Sequence, residues 1–372
     1  MQDILKTLVL SPSKFTPSDA QTATSLMMQG QATQAQIGAF LTALKLTGHE
    51  TNSVTVAAMA TAMRDFALTI PCVKTNTCWD VVDVVGTGGD GTDTFNVSTA
   101  TAIVCAAAGC KVAKHGNRAA SSKCGSADIL EELGASLLSI TPESVEKLVS
   151  SHSSGGGFCF LFAQAFHPAM KKVGGPRREM GFRTIFNLLG PLSNPARPKR
   201  CVVGVASHGF GRPMAEALSL TGVARAWVVN GSIDGTDTGG LDELSPAGPT
   251  HIWSLNNGII NEFTVTPSDF GLAFHALSSV VGGDRTYNAS IMRDLLDGRL
   301  EQGNPILDFV LLNSAALLYV DGKAEDYKQG VELAKTCIVE GRAKEALKLF
   351  VQGTEVLKEQ ELAEAVSDSI VS

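Results

Sequence analysis

The chain has 372 residues and a formal net charge of −7; 44% of its residues are hydrophobic and only 18% are charged. This length accommodates two domains, or one domain with a smaller lobe, and allows a large buried core. Because the charge balance is negative, no global electrostatic field draws the chain to nucleic acid or to an anionic membrane.

Cysteine usage and the first residues bear on the cellular compartment. The eight cysteines include no C-x-x-C pair, so we expect reduced thiols rather than disulfides or a zinc site. The N-terminus lacks a basic region ahead of its short apolar run, which argues against a signal peptide. No run of about 18 uninterrupted apolar residues occurs, so no transmembrane helix is predicted. We expect a soluble, cytoplasmic protein.

The first 70 residues have the apolar spacing of helices. Ser18 or Asp19 can cap a first helix that ends at Gly30, and helices over Ala35–Leu46 and Thr51–Phe66 follow. None of these segments carries an obvious chemical group. A small helical lobe is therefore predicted, with a linker after it at Pro71–Cys78.

A strand over Val81–Val85 then leads into Gly86–Gly91, which holds four glycines in six residues. Glycine lets backbone N–H groups approach an anion closely. Asn96–Thr99 next predicts the start of a helix, and a helix N-terminus beside a glycine turn is a ready anion site. The loop matches neither GxxxxGK[ST] nor GxGxxG, so the common nucleotide-binding motifs are disfavoured.

A second strand, Lys111–Ala113, runs into the basic sequence KHGNR at residues 114–118, and several serines follow. Either loop alone is more often a tight turn or a solvated loop than a binding site. Together, each directly after a strand, they predict a site for a polyphosphate.

Helices and strands alternate after this point, with a helix at Asp128–Leu133 and a buried strand at Phe158–Phe162. Pro176 predicts the first turn of a helix whose apolar stripe extends to Leu189. Arg177 would then lie at the helix start, where the macrodipole disfavours a cation, so an anionic ligand or plain solvation would account for it. Glu179 and Arg183 have the spacing of a helical ion pair.

A strand–helix–strand unit follows at Cys201–Ala206, Pro213–Leu220 and Ala226–Val229. A glycine- and acid-rich loop, residues 232–240, then delivers Asp242 and Glu243. Adjacent carboxylates beside an anion site usually need a cation between them and the ligand, although a solvated surface loop is the simpler interpretation in isolation. Further helices are predicted at Ile291–Leu296, Phe309–Tyr319 and Lys335–Val351. The predicted fold class is α/β: a small all-helical N-terminal lobe plus a large α/β lobe with a central, mainly parallel sheet flanked by helices.

Several motifs in this order closely resemble the anthranilate phosphoribosyltransferase family over nearly the whole chain. They are GTGGDG, NVSTA, KHGNRA, GSAD, HPAM, RTIFNLLGPLSNPA, LDELS and DFVLLNSAALLYV. The resemblance implies Mg²⁺-dependent transfer of the 5-phosphoribosyl group of phosphoribosyl pyrophosphate to the amine of anthranilate, the second step of tryptophan biosynthesis from chorismate. It also implies a homodimer, a helical lobe over residues 1–75 completed by helices around 176–195, and an α/β lobe over residues 76–372.

The resemblance also implies site residues. Charge stabilisation, without a strong acid or base, is expected from Lys114, His115 and Arg177. The metal ligands would be Ser98, Asp242 and Glu243. The residues implied for phosphoribosyl pyrophosphate are Gly86, Gly89, Asp90, Thr94, Asn96, Val97, Ser98, Thr99, Lys114, Gly116, Asn117, Arg118, Ser121, Ser122 and Ser126. The residues implied for anthranilate are Gly86, His115, Asn117, Arg177, Gly190 and Pro191.

Two other functions remain open from the sequence. A pyrimidine nucleoside phosphorylase shares the fold and a KHGNR-like loop, and a non-catalytic relative could bind nucleic acid. Three departures from the family pattern bear on the site: Cys124 in place of a hydroxyl residue, Gly174-Gly175-Pro176 ahead of the arginine, and a long loop at residues 233–238.

Overall fold

The structure, a computed structural model, describes residues 1–75, 80–119, 123–233 and 239–371. The N-terminal helices are α1 (Gln2–Leu10), α2 (Pro17–Gln29), α3 (Gln34–Leu46), α4 (Ser53–Asp65) and α5 (Pro71–Thr75). The helices that follow are α6 (Val97–Ala107), α7 (Ser126–Glu132), α8 (Val145–Val149), α9 (Ala163–Phe166), α10 (Lys171–Met180), α11 (Phe186–Leu192), α12 (Gly211–Leu220), α13 (Arg285–Leu296), α14 (Pro305–Asp321), α15 (Tyr327–Val339) and α16 (Arg342–Val371). No helix within these ranges is long and apolar enough to cross a bilayer.

The strands are β1 (Val81–Gly86), β2 (Lys111–Gly116), β3 (Gly157–Phe162), β4 (Arg200–Gly204), β5 (Arg225–Ser232), β6 (Gly239–Leu241), β7 (Thr250–Asn256) and β8 (Ile259–Val265). They form one sheet in the order β3-β2-β1-β4-β5-β7-β8, with β6 paired to β5. The pairs from β3 to β5 are parallel, and those involving β6, β7 and β8 are antiparallel. From β1 the chain adds β2 and β3 on one side of the sheet, and it then returns to add β4 and β5 on the other side of β1. The strand order therefore reverses between β1 and β4, which makes this junction a topological switch point.

Alternating residues of the parallel strands bury opposite faces of the sheet. Val202 packs into a core with α6, α14 and α16, whereas its neighbour Val203 packs into a core with the N-terminal helices and α12. This period-two division is the pattern of a strand covered on both sides. The helical N-terminal region and the α/β region thus share one of the two cores.

The predicted N-terminal helices are confirmed, with a difference at one cap. Thr16, rather than Ser18 or Asp19, caps α2: its hydroxyl accepts from the backbone of Asp19, while the Asp19 carboxylate accepts from the backbone of Thr16. Pro17 then occupies the first helical position, where its missing N–H costs nothing. Gly30 ends α2 in the left-handed conformation, as expected.

The single helix predicted to start at Pro176 is wrong. Helix α10 already begins at Lys171 and contains Pro176, and it ends at Gly181, whose φ of 66° is left-handed. Arg177 accordingly lies in the last turn, where the macrodipole favours a cation, so the expected misfit with the helix end does not exist.

The helix predicted over Lys335–Val351 is likewise two helices. α15 ends at Val339, and α16 begins at Arg342. Gly341, with φ of 74°, lies between them, and a left-handed glycine is a common helix terminator. The apolar period continued across this break, so periodicity alone could not locate it.

Candidate active site

The glycine loop leaves the sheet at the switch point. Gly86 at the end of β1 is paired in register with Gly204 at the end of β4, and the Thr87 N–H donates to the Gly204 carbonyl at 2.9 Å. A Cβ on Gly86 would lie 2.3 Å from Oδ2 of Asp242, and one on Gly204 would lie 1.6 Å from the Asp242 carbonyl oxygen. Only glycine at these two positions lets the segment carrying Asp242 lie across the strand ends.

The two predicted metal-binding acids are brought to this loop. The N–H of Gly88 donates to Asp242 Oδ2 at 2.5 Å. Burial, followed by the neighbouring charge of Asp90, raises the pKa of Asp242 to about 7. Burial and the charge of Asp242 raise the pKa of Glu243 well above its usual range, while a hydrogen bond with the Ser98 side chain lowers it. Because the ionised forms of these two buried carboxyl groups are disfavoured, a cation bound beside them would stabilise their charges.

The donor set fits Mg²⁺ bound jointly with a phosphate ligand. Within the described ranges, no group of three or more His, Cys, Asp or Glu side chains is placed to hold a metal ion by itself. Mg²⁺ is commonly held by one or two carboxylates together with substrate phosphate oxygens. Ser98, Asp242 and Glu243 supply hard oxygen donors of this kind.

Lys114 lies beneath the acids rather than in the open loop. It is buried within β2, two residues before the strand ends, and its Nζ donates to the Val84 carbonyl of β1 at 2.6 Å. Burial lowers the pKa of Lys114, and attraction to Asp83, then Glu243 and Asp242, opposes that shift. Its charge therefore acts on the acid pair through the interior of the sheet.

The start of α6 and the loop before α7 form the second side of the predicted anion site. The Asn96 side chain donates to the Cys124 carbonyl at 3.0 Å, and the Thr99 hydroxyl donates to the Ser126 hydroxyl at 3.0 Å. Asn288, which was not predicted, donates to the Asn96 side chain at 2.9 Å and holds it in place. A sequence pattern offers no signal for a contact between residues so far apart in the chain.

The remaining residues predicted for the phosphate ligand lie along these two loops. Thr94 forms an isolated bridge with Val281. Asp90 accepts from Thr92 at 3.0 Å. Val97 is buried in the core. The Gly89 carbonyl accepts a hydrogen bond from the Arg183 guanidinium. Ser121 and Ser122 lie outside the described residues.

Arg118 and Asn117 mark the end of the second loop. The Arg118 guanidinium binds Glu131 Oε2 at 2.5 Å and Asp128 at 3.3 Å, so its charge is balanced by α7. The Asn117 side chain accepts from the Arg118 backbone at 2.8 Å. A Cβ on Gly116 would lie 2.7 Å from the Phe160 ring, so a residue with a side chain would clash with that ring at this position.

A cavity of about 410 Å³ opens beside Gly86. It is lined by all of the residues predicted for the aromatic substrate: Gly86, His115, Asn117, Arg177, Gly190 and Pro191. The Arg177 guanidinium carbon lies 5.0 Å from the centre of the Phe186 ring, and burial lowers the pKa of Arg177. The cavity therefore combines an aromatic wall with one partly desolvated cation.

Two buried imidazoles line the same cavity. The rings of His115 and His167 lie 5.0 Å apart, and Nδ1 of His115 is 3.2 Å from the Gly190 carbonyl. Burial lowers the pKa of His115 to about 3 and that of His167 to about 4, so both rings are neutral near pH 7. Their Nε2 atoms are buried and have no hydrogen-bond partner in the described part of the chain. His167 was not predicted as a site residue; the HPAM motif that contains it was the available signal.

Arg183 belongs to the glycine loop rather than to a helical ion pair. Its guanidinium donates to the Gly89 carbonyl at 2.8 Å and also to the Gly88 carbonyl. The expected partner, Glu179, lies on α10 before the break at Gly181, so the two residues do not share a helix. Arg183 thus ties the α10–α11 connection to the loop that follows β1.

Asp83 and Asn194 support the site from beneath. Asp83 Oδ2 accepts from the Asn194 amide at 2.8 Å, and Oδ1 accepts from the His115 backbone at 3.3 Å. Burial raises the pKa of Asp83 to about 6, and the charge of Lys114 opposes the shift. Asn194 also donates to the Ala113 carbonyl at 2.8 Å, so β1, β2 and the segment after α11 are joined by one buried network.

Family models match both regions of the chain. Residues 79–344 match the α/β domain of a glycosyl transferase family, and residues 2–67 match its helical bundle domain.

Curated relatives and solved structures agree with these matches. The chain is 45% identical over 337 residues to an anthranilate phosphoribosyltransferase of Parvibaculum lavamentivorans, covering 91% of this chain and 93% of that protein. The fold matches anthranilate phosphoribosyltransferase from Thermus thermophilus (TM-score 0.83, 38% identity, 95% of this chain and 99% of that one). It also matches the Saccharomyces cerevisiae enzyme in complex with PRPP and Mg (TM-score 0.85, 31% identity, 95% and 98%).

Proposed function

The chain belongs to the anthranilate phosphoribosyltransferase family, and we propose that the site described above carries out the family reaction with the residues assigned below. A 5-phosphoribosyl group passes from phosphoribosyl pyrophosphate to the amine of anthranilate, and pyrophosphate leaves, as the second step of tryptophan biosynthesis. The observation that carries this function is the juxtaposition at Gly86: a buried acid pair lies on one side, and on the other a cavity whose lining includes Phe186 and the cations Arg177 and Lys171.

The donor side holds charge that builds as the bond to pyrophosphate breaks. Bound Mg²⁺ would neutralise the leaving diphosphate, which is the main electrostatic demand of this step. Asp242 and Glu243, with the Ser98 hydroxyl, would hold the ion. The loop from Gly86 to Asp90 and the start of α6 would bind the diphosphate and the ribose through backbone N–H groups.

The second loop completes the donor site. Asn96 donates to the Cys124 carbonyl and Thr99 donates to Ser126, so both bonds tie the start of α6 to the segment before and at the start of α7. Gly116, Asn117 and Arg118, with Ser121 and Ser122, would contact the 5′-phosphate side. Arg118 already has carboxylate partners, so its charge contributes through this network rather than as a free cation.

The acceptor cavity orients anthranilate without a strong base. Arg177 would pair with the carboxylate of anthranilate, while Gly190 and Pro191 flank its ring. His115 and His167 are neutral near pH 7, so they add no charge that would compete for that carboxylate. The aromatic amine attacks C1 in its neutral form as the bond to pyrophosphate breaks, and the proton that it then loses passes to water or to the released pyrophosphate. Positioning and electrostatics therefore supply the catalysis.

The proposal is tested by following the loss of anthranilate fluorescence with purified protein, phosphoribosyl pyrophosphate and Mg²⁺, with and without EDTA. A decay that requires both the donor and Mg²⁺ supports the function. A folded protein that shows no decay would contradict it.

The two other functions considered from the sequence are separated by further arms of the same experiment. Cleavage of a pyrimidine nucleoside with inorganic phosphate would indicate a phosphorylase, and salt-dependent retention on DNA would indicate a nucleic-acid-binding relative. The acid pair at the glycine loop favours release of pyrophosphate over either alternative.

We further propose a homodimer formed through the helical region. Leu10 at the end of α1 and Leu46 at the end of α3 are 77% and 81% exposed, respectively, which is unusual for leucine unless another surface covers it. Light scattering coupled to size-exclusion chromatography tests this: a mass of one chain would contradict it.

The proposed lobes and location follow from packing and cysteine state. α10 packs on α2 and α3, and α11 packs on α4, which supports a helical lobe over residues 1–75 completed around 176–195, with the α/β lobe over 76–372.

Cys105, Cys110 and Cys159, among the described residues, are buried thiols outside any disulfide, which supports the cytoplasm as the location.

A further inference from the structure

A second, cationic cavity lies on the same face of the sheet as the substrate cavity, but at the opposite ends of the parallel strands. Its volume is about 120 Å³, and its lining includes Lys199, directly before β4, and Gly222, three residues before the start of β5. These are the amino ends of the parallel strands, whereas the catalytic loops follow their carboxyl ends. Among the described residues, Pro191 is the one that lines both cavities, so the cationic groups of this cavity lie apart from the proposed substrate-binding residues.

The charges at this cavity are unbalanced. Arg64, Arg197 and Lys199 line it, and no acidic side chain lines it in the described part of the chain. The nearest compensating group is Asp65, 3.9 Å from the Arg197 guanidinium, and both side chains are about half exposed. An exposed pair at that distance neutralises little charge.

Arg64 is the least exposed of the three cations, and its guanidinium makes only weak hydrogen bonds. Its Nη atoms reach the Thr221 carbonyl at 3.4 Å and the Thr61 hydroxyl at 3.5 Å, both near the outer limit of a hydrogen bond. Its Nε is buried without a hydrogen-bond partner among the described residues. Burial, and next the charge of Arg197, lower the pKa of Arg64 to about 10, although the charge of Asp65 opposes the shift. An anion between the two guanidinium groups would remove this repulsion.

The backbone also holds Arg197 in a costly conformation. Its φ is 49°, in the left-handed region that non-glycine residues adopt only when the surroundings impose it. This conformation places Arg197 in the turn after buried Asn194, whose side-chain carbonyl accepts from the Ala196 N–H at 2.9 Å. The turn thus presents a cation at the cavity mouth opposite Arg64.

From these features we propose that Arg64, Arg197 and Lys199 form a second anion site that takes a small divalent tetrahedral oxyanion of the inorganic phosphate type. Three cations against one exposed carboxylate leave a charge matched by two negative charges. Guanidinium groups bind such oxygens bidentately. The cavity exceeds the space that one water needs several-fold, but is too small to enclose phosphoribosyl pyrophosphate.

The test is calorimetric titration of inorganic phosphate into the protein with saturating phosphoribosyl pyrophosphate and Mg²⁺ and no anthranilate, so that the donor site is filled. One phosphate is expected to bind. Arg197→Asn, which tolerates the left-handed backbone, and Arg64→Gln should each weaken it roughly tenfold or more. Arg212→Gln, which removes an exposed arginine paired with Glu216 and Glu262, should leave it unchanged.

Two further measurements keep the result decisive. Thermal unfolding of each variant tests whether it is folded. If Arg64→Gln does not fold, the titration of Arg197→Asn alone decides the result. The same titration with acetate distinguishes a divalent oxyanion from a carboxylate. Absence of phosphate binding with the donor site filled, binding that survives both substitutions, or equally tight binding of acetate would each overturn the proposal.

Discussion

The proposed donor and acceptor sides of the active site meet at Gly86, and their ionisable groups are held in different charge states. On the donor side, Asp242 and Glu243 are both buried; the charge of Asp242 raises the pKa of Glu243, and the charge of Asp90 raises that of Asp242. On the acceptor side, His115 and His167 are buried as neutral rings, and Arg177 is the cation that faces the aromatic wall. One half of the site is thus incomplete without a cation, whereas the other is already in its working charge state.

Because of this difference, we expect substitutions in the two halves to change the kinetics in different ways. Changes on the donor side should alter the dependence on Mg²⁺ and on phosphoribosyl pyrophosphate. Changes on the acceptor side should alter the dependence on anthranilate alone. Each substitution below is expected to act on one half.

The largest effect is expected when both acids are replaced, Asp242→Asn with Glu243→Gln. Turnover should fall by about a thousandfold, since a metal ion contributes several kcal/mol to such a step. Without Mg²⁺, the free energy of unfolding should rise, because the variant no longer buries two carboxylates. Both folded-state pKa values are raised, so this penalty appears as pH rises above the ordinary values and is absent at low pH. The gain should therefore be larger at pH 8 than at pH 5. Retained Mg²⁺-dependent turnover would contradict the metal role.

Gly86→Ala should have the next largest effect, about a hundredfold loss of kcat/KM for the donor. Its Cβ would lie 2.3 Å from Asp242 Oδ2, so the carboxylate must move, and displacement of about 1 Å can cost this much. Gly190→Ala is the matched control on the acceptor side, because no atom lies within 4 Å of the added Cβ. The control should leave the KM for the donor unchanged. Equal losses for the donor in both variants would break the proposed division.

Arg183→Ala should raise the KM for phosphoribosyl pyrophosphate by about tenfold, since charged hydrogen bonds to the carbonyls of the glycine loop are lost. Arg178→Ala, an exposed arginine on α10, is the control. An increase in the KM for anthranilate instead would show that Arg183 acts on the acceptor side.

The smallest effect concerns stability and pH. The pKa of His115 is lowered to about 3 in the folded protein, so between that value and about 6.5 the unfolded chain binds more protons. Its contribution to stability is complete above about pH 6.5 and is lost as pH falls, with a limiting slope of roughly 1.4 kcal/mol per pH unit. His115→Gln should flatten the slope of unfolding free energy between pH 4.5 and 6.5 in denaturant titrations. Identical slopes would contradict the neutral buried ring.

Much of the fold could be predicted because it depends on local signals. Continuous apolar runs located β1 and β3, and the alternation of strands and helices indicated a mainly parallel sheet. Boundaries were less accessible: the break at Gly181 lies directly before the apolar stripe that begins at Phe182, and the break at Gly341 lies inside a continuous one. A left-handed glycine in such a stripe leaves no periodic trace.

The site divides in the same way. The residues predicted for anthranilate through the family resemblance all line one cavity. The local argument for Arg177 was nevertheless wrong, because it placed this residue at the wrong end of a helix. Arg183, Asn194 and Asn288 were missed as site residues because their partners are far away in the chain. Contacts of this kind follow from topology, which spacing in the sequence does not encode.

The most direct test of the division between the two halves is the pair of KM values for Arg177→Ala, measured beside Arg178→Ala. Loss of a charged hydrogen bond to the carboxylate of anthranilate should raise the KM for anthranilate by roughly ten- to a hundredfold. The KM for phosphoribosyl pyrophosphate should be unchanged, and Arg178→Ala should change neither value. An equal rise in both KM values for Arg177→Ala would contradict an acceptor half that works independently of the donor half.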